Sequence, residues 1–239
     1  MTLSQLSKKP LNRHSDGFLL INKPEGISSF GVVRQVRYIS SIQKVGHAGT
    51  LDPFASGLLV LALGKAYTTQ ISSIQVQNKV YQALMVLGIE TDTLDSKGKV
   101  TQVKDVPPFT QSLLDHIAQT FIGEMSQDPP IFSAKKVKGR RAYQLARAGK
   151  TVVLDPKVVT ISHLTLSLVQ QCPTPIISLE VTCSTGTYIR ALVRDIAKAL
   201  GTVGYTKSLV RTCIGTLSLE KAVSMSDLTL PVIQNALIQ

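Results

Sequence analysis

Residues 46–65 read GHAGTLDPFASGLLVLALGK. The stretch holds one carboxylate, Asp52, between a glycine-punctuated loop and an unbroken apolar run, 58–63. An Asp-Pro pair starts turns, and the aspartate accepts backbone hydrogen bonds there. A turn residue is therefore the plain reading of Asp52. Gly46, Gly49 and Gly57 let the backbone bend sharply or come close to a ligand. The apolar run is short and bounded, as in a buried strand. Together these features present a carboxylate from a turn on a stiff support, with no acidic partner and no metal-ligand cluster beside it.

Upstream, the apolar stretch 18–21 reads as a strand ended by the turn Lys23-Pro24-Glu25-Gly26. Ser28 or Ser29 can cap a helix whose apolar positions Phe30, Val33, Val36 and Ile39 recur every three residues. Downstream, 80–88, 158–169, 176–184 and 205–219 read as strands. Segments 113–122 and 188–200 read as helices, the second amphipathic through Ile189, Leu192, Val193 and Ile196. A short helix follows Ser226. There is no repeat, no linker and no regular βαβ rhythm, which predicts an α+β fold with a mixed or antiparallel sheet. Residues 1–16 are polar and predicted to be flexible.

The chain has 239 residues and a net charge of +11, a balance that favours a polyanionic partner over a merely basic soluble protein. The charge concentrates in the segment 135–150, where Lys135, Lys136, Lys138, Arg140, Arg141, Arg147 and Lys150 occur without an acid. Phe132 and Tyr143 lie beside and within that run. Basic residues interleaved with aromatics suit a phosphate backbone and stacked bases; a solvated charge run is the alternative. Cys172, Cys183 and Cys213 form neither a disulfide framework nor a zinc spacing. The N-terminus has no apolar signal region and no run could span a bilayer, so a cytoplasmic protein without a membrane span is expected.

Few residues are candidates for chemistry. Arg190 stands just inside the start of a helix, where a cation is disfavoured and needs a partner. A carboxylate such as Asp52 could be that partner, because guanidinium and carboxylate pair bidentately. Tyr81 alternates with Ala83 and Met85, so a core tyrosine is its plain reading. His47 reads as a loop histidine or as a ring lying against a nucleobase. No metal site, phosphate loop or dinucleotide fingerprint occurs.

These residues fall in blocks that resemble the bacterial TruB-type tRNA pseudouridine synthases. GHAGTLDPFASGLLVLALGKA is similar to that family's central motif. The blocks LLINKPEGISS, KVYQALMVLGIETDTLDSKG, QDPPIFSAKKVKGRRAYQLARAG and CSTGTYIRALVRDIAKALG keep the family's order, so the likeness runs over about 17–217. Phe132 stands where the family often has tyrosine, and Gly204-Tyr205 where Ala-His is common.

The resemblance implies a pseudouridine synthase fold over 17–239, a mixed, mostly antiparallel sheet flanked by helices and loops. It also implies an RNA-binding insertion around 127–150 and no C-terminal PUA domain. The implied activity is that of a cofactor-free tRNA pseudouridine(55) synthase, an isomerase that flips the T-loop uridine out, detaches the base and rejoins it through carbon. Asp52 would be the nucleophile and Arg190 its partner. Tyr81 would stack on the base and take part in proton removal from C5, and Leu209 would pack against it. Lys23 and Pro24 would support the pocket, and His47 would take the flipped base's place in the loop. Lys136, Arg140 and Arg141 would hold phosphates. The implied partner is the tRNA T-stem loop, bound by a monomer without a protein partner. The alternative is a non-catalytic tRNA-binding or tRNA-folding module in which Asp52 is only a turn residue.

Overall fold

The computed structural model describes residues 16–239 apart from 134, 138, 149–152 and 172; at 136–137, 140–141, 143 and 147 only the backbone is described. Except for Asp16, the expected flexible segment 1–16 lies outside the described residues. Strand β1 (Gly17–Lys23) turns into helix α1 (Ser29–Ser40). Strands β2 (Val45–His47) and β3 (Ser56–Leu63) flank the turn that carries Asp52. Short helices α2 (Lys65–Thr68) and α3 (Ile71–Gln75) lead to β4 (Lys79–Leu87). A small hairpin, β5 (Ile89–Thr91) and β6 (Val100–Val103), precedes α4 (Gln111–Thr120) and β7 (Gly123–Gln127). The basic segment forms a second hairpin, β8 (Lys136–Val137) and β9 (Arg140–Arg141), and a short helix α5 (Ala142–Arg147). Strands β10 (Lys157–Gln170) and β11 (Ile176–Cys183) are followed by α6 (Ile189–Ala199) and β12 (Gly204–Ile214). Last come β13 (Leu217–Ser218), β14 (Val223–Ser224) and α7 (Leu230–Asn235).

The main sheet runs β14-β1-β3-β12-β4-β11-β10-β7, with β2 added to β3 and β13 to β12. The β1–β14 and β3–β12 contacts are parallel and the rest antiparallel, so the fold is α+β with a mixed, mostly antiparallel sheet. Strand β3 explains the apolar run. Successive side chains of a strand point to opposite faces. Leu59, Leu61 and Leu63 pack with Val32, Val33 and Val36 of α1, while Leu58 and Val60 pack with Leu20 and Ile214 in a separate cluster. Both faces of β3 are covered from Leu58 to Leu63, so no position along that run can be polar. Each such leucine contributes roughly 1.5–3 kcal/mol on burial.

Gly57 is the hinge between this strand and β12. Its φ is +102°, and a Cβ there would collide with the Arg211 backbone, meeting its nitrogen at 2.8 Å. Only glycine lets β12 run beside β3 at this point, in register Arg211↔Gly57.

Two helices depart from expectation. In α1 the buried face is Ser29, Val32, Val33, Val36 and Ser40, whereas Phe30 is exposed. The cause is Ser29, whose hydroxyl is tied to Leu51 and sets the rotation of the helix. Helix α4 starts at Gln111 because the Thr110 hydroxyl accepts the Leu113 N–H, and it buries Leu114, Ile117 and Ala118. It joins α6 against the inner face of β4, β10, β11 and β12, where Met85, Ile161, Leu179 and Ile196 form the larger core. No helix among the described residues is long and apolar enough to cross a membrane.

Candidate active site

Asp52 opens a tight turn in which the Ala55 N–H donates to the Asp52 carbonyl at 3.1 Å, with Pro53 at the second position, where its fixed φ is favoured. Ser29 grips the preceding residue twice: its hydroxyl accepts the Leu51 N–H at 2.8 Å and donates to the Leu51 carbonyl at 3.0 Å. The Gly26 N–H donates to the Pro53 carbonyl at 2.7 Å. The turn is thus clamped between the Lys23–Gly26 bend and the start of α1.

Arg190 reaches this turn from the first turn of α6. Its Nε and Nη2 both lie 2.8 Å from one oxygen of Asp52, Oδ2. Nη1 donates to the Thr93 carbonyl at 2.6 Å, and Nη2 also donates to the Phe132 carbonyl at 3.0 Å. Asp95 adds a carboxylate oxygen 3.7 Å from Nη1 and is itself held by the Thr93 hydroxyl and the Lys97 N–H. The guanidinium is buried and saturated, and the two carboxylates offset the unfavourable dipole of the helix start. Among the described residues no donor reaches Asp52 Oδ1, and the Asp52 side chain keeps 37% exposure. Leu94, between Thr93 and Asp95, adopts φ +59°, a left-handed conformation that costs a bulky residue roughly 1–3 kcal/mol. That strain is stored in the loop that grips Arg190.

A cavity of about 500 Å³ opens beside this pair. Asp52, Tyr81, Arg190 and Leu209 all line it, so the four residues singled out in the sequence for base chemistry converge. Tyr81 and Leu209 sit on the adjacent strands β4 and β12, both buried. Burial pushes the Tyr81 phenol above its usual range. A more open cavity of about 430 Å³ on the outer sheet face, lined by Gln82, Glu180 and Ser208, contains none of these groups.

Other expected residues stand elsewhere. Lys23 is fully buried below the turn and does not line the cavity; its ammonium donates to the carbonyls of Pro24 and Ile27, both at 2.8 Å. Pro24 is exposed on the bend. His47 lies in β2 opposite Leu61, half-buried and outside the cavity lining. Burial, and then the charge of Arg211, hold its imidazole below the usual histidine range. The side chains of Lys136, Arg140 and Arg141 lie outside the described residues, although their backbone forms the β8–β9 hairpin.

Three cations at the cavity were not anticipated as site residues: Arg211, Lys79 and Lys157. Arg211 and Lys79 are buried, and burial lowers the Lys79 ammonium to about 8. The available signal was alternation: Arg211 lies two residues after Leu209 and Lys79 two before Tyr81, on the same strand faces. Among the described residues no group of three or more His, Cys, Asp or Glu side chains could hold a metal ion.

A family model described as TruB family pseudouridylate synthase (N terminal domain) matches residues 37–189. The tRNA pseudouridine synthase B of Psychrobacter cryohalolentis is 40% identical over 235 residues, covering 94% of this chain and 64% of that protein. That of Parabacteroides distasonis is 42% identical over 216 residues, covering 88% of this chain and 90% of that protein. The chain therefore spans less than two thirds of the first relative and nearly all of the second. Among solved structures, a Cbf5-Nop10-Gar1 complex matches with TM-score 0.66 and 27% identity over 92% of this chain and 56% of its own. An H/ACA RNP bound to a substrate RNA containing 2'-deoxyuridine matches with TM-score 0.65 and 26% identity, over 92% and 55%.

Proposed function

The chain belongs to the TruB family of pseudouridylate synthases, and from that premise we propose that it converts uridine 55 in the T-loop of tRNA to pseudouridine. A stacked uridine is out of reach of a cavity, so the base must be flipped, at a cost of a few kcal/mol. Tyr81 and Leu209 offset that cost by sandwiching the base between buried faces. Asp52 acts at the sugar carbon through Oδ1. Arg190 holds Oδ2 and aims the carboxylate. Tyr81 receives the C5 proton when the base has been rejoined through carbon. Lys136, Arg140 and Arg141 hold the surrounding phosphates from the basic segment.

The observation that carries this reading is the asymmetric grip on Asp52: among the described residues, two donors on one oxygen and none on the other, beside a cavity faced by a buried tyrosine and leucine. The test is Asp52→Asn, assayed by mapping pseudouridine in a tRNA transcript treated with purified protein. Wild type is expected to modify the T-loop uridine, and the variant to bind tRNA without turnover. Turnover retained by the variant removes Asp52 from the chemistry. Full complementation by the variant in a strain lacking the protein favours a tRNA-folding module instead.

A further inference from the structure

Arg211 is 1% exposed. Its Nε donates to the Leu58 carbonyl at 2.8 Å and its Nη2 to the Gly49 carbonyl at 3.1 Å. Among the described residues no carboxylate forms an ion pair with it. A buried guanidinium without an acid costs several kcal/mol, and it cannot escape that cost by losing its proton. Two observations indicate what the charge serves. The β12–β4 register sets Arg211 directly opposite Tyr81, and directly opposed side chains share a sheet face with Cβ atoms about 4.5–5.5 Å apart. That shared face looks into the cavity that Asp52 lines.

Resting on the reading of Tyr81 given above, we propose that Arg211 is a positioning residue for the isomerisation: its guanidinium holds the Tyr81 phenol oxygen, by hydrogen bond and by charge, as the acceptor of the C5 proton. The protons balance. The Tyr81 hydroxyl gives its proton to solvent at the cavity mouth. The phenolate takes the proton from C5 after the new carbon–carbon bond has formed, and the C5–H electron pair closes the C5=C6 double bond. N1, now free of the sugar, takes one proton from solvent, so the reaction remains an isomerisation.

The groups around the phenol oppose one another. Burial raises the Tyr81 pKa, and Cys183 on β11 and Asp52 on the turn add to the rise; Arg211 on β12 lowers it as a charge and as a hydrogen-bonding side chain. Lys79 on the same strand, and Arg190, Lys135 and Lys157, line the same cavity. Without Arg211 the forces that favour the neutral phenol lose the charge set directly opposite them.

The experiment measures single-turnover pseudouridine formation on a T-arm transcript from about pH 6 to 10 for wild type, Arg211→Gln and Arg211→Lys, each also in a Tyr81→Phe background. Arg211→Gln is expected to slow the chemical step about tenfold or more at neutral pH. It should also move the alkaline rise of the rate up by about one pH unit, with transcript affinity unchanged. Arg211→Lys should recover much of both effects, since an ammonium can donate to the same oxygen. In Tyr81→Phe the Arg211 changes should have no further effect on the residual rate. The phenol is read directly, without RNA, by the 19F resonance of 3-fluorotyrosine that disappears in Tyr81→Phe; its midpoint should rise in Arg211→Lys and further in Arg211→Gln. An unmoved pH profile and an unmoved 19F midpoint overturn the proposal and leave Arg211 a structural residue. A wild-type protein that forms no pseudouridine overturns the activity itself, and the proposal with it.

Discussion

At the scale of single residues, Lys23 shows how burial turns an ordinary cation into a pH-dependent contributor. Its side chain is shut off from solvent below the Asp52 turn, and burial lowers its ammonium to about 8, partly countered by the charge of Asp52. The sign follows from proton counting. Below about pH 8 the lysine is protonated in both the folded and the unfolded chain, and the folded state carries the full burial penalty. Between about 8 and the ordinary value of 10.5 the folded chain has released a proton that the unfolded chain still holds, so this group's contribution to stability rises with pH. Lys79 carries the same shift and is present in both proteins compared, so it cancels. The urea midpoint of wild type, measured against that of Lys23→Met, is therefore expected to gain on the variant from about pH 8 to 10. Parallel curves would mean that the ammonium is solvated.

At the scale of elements, the placement of Arg190 depends on how α6 begins. Its N-cap residue, Tyr188, makes no side-chain cap of its own. Gln127, at the end of β7, supplies the missing partner from 61 residues away: its Oε1 accepts the Tyr188 N–H at 2.8 Å and its Nε2 donates to the Tyr188 carbonyl at 3.2 Å. Gln127 is 1% exposed, so water cannot replace it. Gln127→Ala should lower stability by about 1–3 kcal/mol, the usual range for stranding buried backbone groups. It should also slow the proposed reaction, because the helix start that aims Arg190 at Asp52 is loosened. Chemical denaturation and single-turnover rates check the two effects separately; a variant with wild-type stability would show that the clasp is dispensable.

At the scale of the whole molecule, the net charge of +11 is a statement about partners rather than about fold. If the basic segment grips RNA phosphates, three of its inner cations should release counterions on binding. Lys136, Arg140 and Arg141 changed together to alanine should weaken tRNA binding and reduce the slope of log affinity against log salt by about 2 to 3. An unchanged slope, measured by titration at several salt concentrations, would place the grip elsewhere on the surface. Gly57 matters at this scale as well. A single missing side chain lets β3 and β12 run side by side, and so brings the Asp52 turn and the Leu209–Arg211 strand to one cavity.

Much of the molecule was legible in the order of its residues because the physics involved is local. Alternation and apolar runs marked β3 and β4, a hydroxyl cap marked α1, and the Asp-Pro turn marked the residue that faces the cavity. The sequence also required a partner for Arg190 at the start of a helix, and Asp52, 138 residues away, is that partner. Only the tertiary structure decided that both donors fall on one carboxylate oxygen, that Phe30 turns outward, that His47 stays out of the cavity, and that a buried cation stands opposite Tyr81. Those outcomes depend on strand register and helix rotation. Both are set by many packing contacts between distant parts of the chain, and no short stretch of residues contains that sum.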